Sequence, residues 1–224
     1  MTTNRREIFN KSYYANACRR YHELWEKSDK VLYNLCRKFP GHDDRAGTNA
    51  KIWVIGRAYA TGIERQIRSD GTQSSAMEQL TKHFWKNRSA VDQIFKSLKR
   101  VREPLSKDKL KVIAKAHCRL LRVIKKATRK SPRSFVSKYL HFHNSAVPIY
   151  DSVANSRLRR FVLAKGCKRI IISEKNTDQE YVGFLERFWW LYQQTPRPRK
   201  TGCVKLLDIY LLELARNTRP QKAD

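Results

Sequence analysis

Apolar and polar positions alternate along most of this chain at steps of three and four. In "YYANACRRYHELWEK" the residues Tyr14, Ala17, Cys18, Tyr21, Leu24 and Trp25 share one face of a helix. "SDKVLYNLCRKF" opens on a Ser28–Asp29 cap and sets Val31, Leu32, Leu35 and Phe39 on one side. After the loop "PGHDDRAGT", the stretch "NAKIWVIGRAYATGIERQIRS" predicts one largely buried helix carrying Ile52, Trp53, Ile55, Tyr59, Ile63 and Ile67. Residues 74–99 and 105–127 continue the helical period on either side of "REPLSKD". Short helices follow at 133–144 and 152–164, and "RIIIS" fits a short strand or a buried turn. "DQEYVGFLERFWWLYQQT" and "VKLLDIYLLELAR" predict two final helices, divided by "PRPRKTG".

This pattern predicts an all-α protein of about nine or ten helices, arranged as a two-lobed helical bundle with a cleft between the lobes. The 224 residues read as a single domain, with lobes at about 1–127 and 128–224. No run of 18 apolar residues occurs, and "MTTNRREIFNKSYY" lacks the apolar stretch of a signal peptide. The expectation is a soluble, cytoplasmic bacterial protein with no membrane partner.

Charge narrows the function. The chain has 48 Lys+Arg against 20 Asp+Glu, a formal net charge of +28. Such a chain repels itself unless it meets a polyanion, and DNA or RNA, bound by a monomer, is the commonest such partner. The five cysteines form no C-x-x-C pair, so reduced thiols are expected, with no metal site and no cofactor.

One segment departs from the basic amphipathic background: "FVSKYLHFHNSAVPIYDS", residues 135–152. Phe135, Val136, Tyr139, Leu140 and Phe142 make an apolar surface, while Ser134, Lys138, His141 and Ser145 form a polar stripe. That stripe projects Lys138 away from much of the core. The leading backbone N–H groups of this helix, with Lys130, Arg133 and Ser134, suit a DNA phosphate. Asp151 stands where a helix N-cap belongs, and a carboxylate has acceptor positions to spare for a second role. From Lys138 to Asn144 the helix advances roughly 9 Å, and the return to Asp151 spans up to about 23 Å. The two side chains are therefore able to meet.

A lysine on a short helix, an apolar return ending "VPIYD" and a new helix opened by that aspartate resemble the helix-hairpin-helix DNA glycosylases. "SKYLHFHNSAVPIYDSVANSRL" is most similar to the 8-oxoguanine DNA glycosylase branch and its bacterial relatives. The glycine-rich hairpin of that family is replaced here by "KSPRSFVS". The resemblance implies a helix-hairpin-helix-like element, Lys138 as an amine nucleophile and Asp151 as the carboxylate that deprotonates it or stabilises a cationic sugar. It further implies double-stranded DNA as the partner, with base flipping and excision of oxidised guanine or of a hypermodified phage base, the latter an antiviral defence. Tyr59, Arg57, His141, Tyr150 and Trp189 are the candidate substrate-binding residues. "GRAYATGIER" places Arg57, Glu64 and Arg65 either along a base edge or against one another. Two other readings stay open: a non-catalytic DNA- or RNA-binding protein, and a nuclease built on "HDD" at 42–44 and Glu186.

Overall fold

The computed structural model describes residues 9–67, 71, 73–162, 176–196 and 202–217. Among these the protein has nine helices and no strand; a lone bridge joins Ile67 to Thr128. The first helix is a rod of three parts: α1 (Lys11–Arg20), a π turn (Tyr21–Trp25) and α2 (Glu26–Lys38). Then come α3 (Arg45–Ala58), α4 (Ala76–Lys86), α5 (Arg88–Leu98), α6 (Lys107–Lys125), α7 (Arg133–His143), α8 (Ser152–Phe161), α9 (Gln179–Gln194) and α10 (Cys203–Asn217). The segment "RIIIS" and the ends of both tails lie outside the described residues.

Three local expectations are corrected. The π turn inserts one residue and turns the following helix by about 100° relative to an unbroken one. Leu24, Trp25 and Val31 consequently point outward, and Asp29 points in. Because the rod runs through Ser28 and Asp29, neither caps a helix. The long helix expected from residue 49 onward stops at Ala58, where Ala60 (φ 45°) and Gly62 (φ 64°) take left-handed conformations that end it. Beyond the break only a short 3₁₀ turn, Glu64–Gln66, remains. Residues 74–99 hold two helices, because the chain breaks at Asn87.

Caps fix the helix starts. Asp44, Ser75, Ser106, Asp151 and Asp178 each accept a backbone N–H of the helix that follows. The start of α10 is held differently. Glu103, in the α5–α6 connection, accepts from the backbone N–H of Cys203 (2.9 Å) and of Val204 (3.3 Å). Gly202 permits this approach, since a Cβ there would stand 2.7 Å from a Glu103 carboxylate oxygen. Helix α7 is the centre of the molecule, packed against α2, α3 and α6, with residues 135–142 all buried. The rod's first part lies on α10, and α10 in turn lies on α8. No helix among the described residues is long and apolar enough to cross a membrane.

Candidate active site

Two short elements bring Lys138 and Asp151 together. Lys138 lies in mid-α7, and Asp151 precedes α8 at the end of an apolar return through buried Val147, Ile149 and Tyr150. One carboxylate oxygen of Asp151, Oδ1, accepts from the N–H of Val153 (2.9 Å) and Ala154 (3.3 Å). The other, Oδ2, stands 3.7 Å from Lys138 Nζ. The amine also donates to Ser134 Oγ (2.9 Å) and to the backbone carbonyl of Tyr59 (3.3 Å).

The polar stripe expected on α7 is not solvated. Lys138 is only 5% exposed and His141 is fully buried, because α2, α3 and α6 wrap this helix and leave it little outer face. Burial lowers the pKa of Lys138, against the raising effect of Asp151; a nearby Lys205 adds to the lowering. Such an amine is closer to its neutral, nucleophilic form than a surface lysine is.

Behind this pair lies a charge network that the sequence reading missed. Lys205 of α10 sits 3.2 Å from Asp29 Oδ2 and 3.4 Å from Asp208 Oδ2. It also donates to Tyr59 OH at 2.9 Å, while that hydroxyl donates to Asp29 in a very short hydrogen bond. Both lysine amines face the Tyr59 ring, Lys138 at 5.5 Å and Lys205 at 4.9 Å from its centroid. Burial raises the pKa of Asp208, and the Lys205 and Lys138 charges pull it back. A signal for this network was present in "VKLLDIYLLEL", where a lysine and an aspartate three apart interrupt an otherwise apolar helix. Asp29 gave none, since next to Ser28 it reads as a cap.

The other named candidates are distributed around the molecule. Tyr59 adjoins Lys138 as just described. Arg57 pairs with Glu64 at 2.8 Å and lies 3.9 Å over the exposed Trp53 ring. His141 donates from Nδ1 to the Val147 carbonyl (2.8 Å), which fixes its tautomer, so Nε2 accepts from Tyr33 OH (2.6 Å). Tyr150 donates its hydroxyl to Glu180 (3.0 Å). Trp189 is core, stacked on Tyr192 with ring centroids 5.7 Å apart. At the head of α7, Arg133 turns its backbone N–H to Ser131 and its guanidinium to Asp178 at 2.6 Å. Ser134 is engaged by Lys138, and Lys130 is exposed. Of the residues in "HDD", His42 is buried and Asp44 caps α3. Among the described residues no group of three His, Cys, Asp or Glu side chains is placed to hold a metal ion.

Comparison of the chain with protein-family models, with curated proteins and with solved structures gives no match. The functional reading therefore stands on the chemistry of the site and on the sequence resemblance.

Proposed function

We propose that the protein is a DNA glycosylase that flips a damaged or modified base out of a duplex and cleaves its N-glycosidic bond. The observation that carries this reading is a buried amine with a lowered pKa, 3.7 Å from a helix-capping carboxylate. In the reaction, Lys138 Nζ attacks the anomeric carbon as a neutral amine. The bond to the base breaks with its electron pair leaving on the base, which takes up a proton. The charge of Asp151 stabilises the cationic sugar while that bond breaks, and the carboxylate then accepts the proton that the newly bonded amine gives up. If water replaces Lys138 as nucleophile, Asp151 keeps the same two roles and no lyase step follows. The substrate is oxidised guanine or a hypermodified base of phage DNA. The net charge of +28 supports a duplex partner.

Two groups of helices pack mainly among themselves, which supports a two-lobed reading. Helices α3 to α6 pack on one another, α1 joins α8 and α10, and α7 packs against α2, α3 and α6. A cleft between these groups, with the α6–turn–α7 segment as the helix-hairpin-helix-like element, would bring DNA to the end of Asp151 that remains partly exposed.

A second reading is favoured by one observation: the Lys138 amine already donates to Ser134 Oγ and to the Tyr59 carbonyl and stands at ion-pair distance from Asp151. In that reading the pair ties α7 to α8 in a non-catalytic nucleic-acid-binding protein. Duplexes carrying different modified bases, incubated with the protein and treated with alkali, separate the two. Strand breaks and a borohydride-trapped adduct that Lys138→Ala abolishes are expected. Asp151→Asn keeps the cap, because Asn caps as well as Asp. It is expected to slow excision by about 10²–10³-fold, the usual loss for one electrostatic stabiliser. Full excision by a folded Asp151→Asn protein would sink the mechanism, and salt-dependent binding with no base release on any substrate would establish the second reading.

A further inference from the structure

Two cavities abut at the far end of α7 from Ser134. One, of about 670 Å³, lies beside the end of α5, against Phe95, Lys96, Lys99 and His143. The other, of about 490 Å³, reaches Tyr33 and Lys30 and ends on Lys205. Arg37, Arg102, Phe142, His143 and Asn144 line both, so the cavities form one trough with two arginines at its middle.

The wall charge of the trough is unbalanced. Of its carboxylates, Glu26 is held by Lys30 at 3.0 Å, which leaves the negative charge of Asp43 and of Asp92, whose partner at 2.7 Å is the neutral His42 ring. Against them stand Arg37, Lys96, Lys99 and Arg102, none with a carboxylate at ion-pair distance among the described residues. Arg37 touches only the Asn34 side chain and Arg102 only a backbone carbonyl at 2.8 Å. The floor between these cations is aromatic: Phe95 and His143 lie with ring centroids 4.4 Å apart, and Tyr33 lines the second half.

We infer that this trough binds single-stranded nucleic acid, with phosphates on Arg37 and Arg102 and bases against Phe95 and Tyr33. A cationic rim alone would suit any polyanion. The concave shape and the aromatic floor select a strand whose bases are free to stack, and every base has a face for such a floor. A duplex keeps its bases in its own stack and offers a convex surface of phosphates, which such a floor cannot use. The inference is independent of the glycosylase reading, for it uses neither Lys138 nor Asp151.

The test is fluorescence anisotropy with labelled oligothymidylate and oligouridylate of about 10 nucleotides, a length within the usual site size of single-strand binders. The proteins are the wild type, Arg37→Glu/Arg102→Glu, and a control of equal charge change on exposed helix surface, Lys86→Glu/Arg119→Glu. The trough variant is expected to weaken binding of the preferred strand roughly tenfold or more, and the control less than about threefold. The better-bound strand tells DNA from RNA. Equal weakening by both variants assigns the effect to the general field and overturns the inference. So does binding of neither strand, or an equal loss of duplex binding in the trough variant. Should the variant fail to fold, photo-cross-linking of a halogenated strand to the wild-type protein decides. Adducts on peptides carrying Phe95 or Tyr33 support the trough, and adducts elsewhere refute it.

Discussion

Lowering the pH from 7 to 5 is expected to unfold this protein. His42, His117 and His141 are packed into the core as neutral rings. Burial lowers the pKa of His117 to about 4 and those of His42 and His141 to about 3. The Lys51 ammonium adds to the lowering at His42, since a proton there would set two cations close together. In the unfolded chain each ring titrates near 6.5. The unfolded state thus binds more protons than the native state at every pH between that value and the depressed one. Stability is full above about pH 6.5 and is lost as the pH falls below it. At pH 5 the loss is about 2 kcal/mol per histidine, or about 6 kcal/mol for three, against a total of about 5–15 kcal/mol for an ordinary domain. His143 is left out of this sum because it is only half-buried, where it lines the two cavities at the end of α7. Thermal melts followed by near- and far-UV circular dichroism from pH 7.5 to 5 check the expectation. Self-repulsion of so basic a chain acts in the same direction, so a comparison isolates the histidine effect. His117→Phe keeps the stack on Tyr181, now 3.7 Å between centroids, and is expected to flatten the pH slope. A melting temperature that holds steady to pH 5 would contradict the account.

Lys205→Met is expected to cost about 3–5 kcal/mol, the usual penalty for removing one partner of a buried ion pair. Asp29 and Asp208, both nearly inaccessible, would be left without their ammonium. For a chain of this size that is a fall of roughly 10 °C in melting temperature. Adding Asp29→Asn and Asp208→Asn should restore much of the loss, because the stranded charges are then gone. Urea unfolding of the single and triple variants at pH 7.5 measures both steps, and a Lys205→Met cost below about 1 kcal/mol would show that the network is not coupled as its distances indicate. The same substitution has a chemical consequence at the neighbouring amine. With one nearby cation removed, Lys138 holds its proton more tightly, so borohydride-trapped adduct should form at higher pH than in the wild type.

What was legible in the sequence was what short-range periodicity and capping chemistry encode. The helices at 105–127, 133–144 and 152–164, the end of the chain as two helices, and Asp151 as a cap all follow from spacing within a turn or two. The approach of Lys138 to Asp151 was allowed by the length of the return. The exposure of Lys138 was misread because an amphipathic pattern shows which face is apolar, whereas burial depends on how many neighbours surround the helix. Leu24, Trp25 and Val31 were misplaced by a π turn, which leaves the residue types unchanged and shifts only their phase. Lys205, Asp208 and Asp29 lie far apart along the chain, and their meeting depends on the packing of α10 against the first rod.

That packing sets an order of events during synthesis. The carboxylate of Glu103 holds the start of α10 across about a hundred residues, and Asn10 donates its backbone N–H to Tyr210 at 3.1 Å across two hundred. Until α10 has emerged from the ribosome, Asp29 and Tyr59 wait without Lys205 while α3 to α7 are already able to pack. Such long-range contacts form late. The charged cluster beside Lys138 is thus completed only once α10 has packed, long after Asp29 and Tyr59 have been made, and until then a nascent chain carries an unfinished site past any nucleic acid it meets.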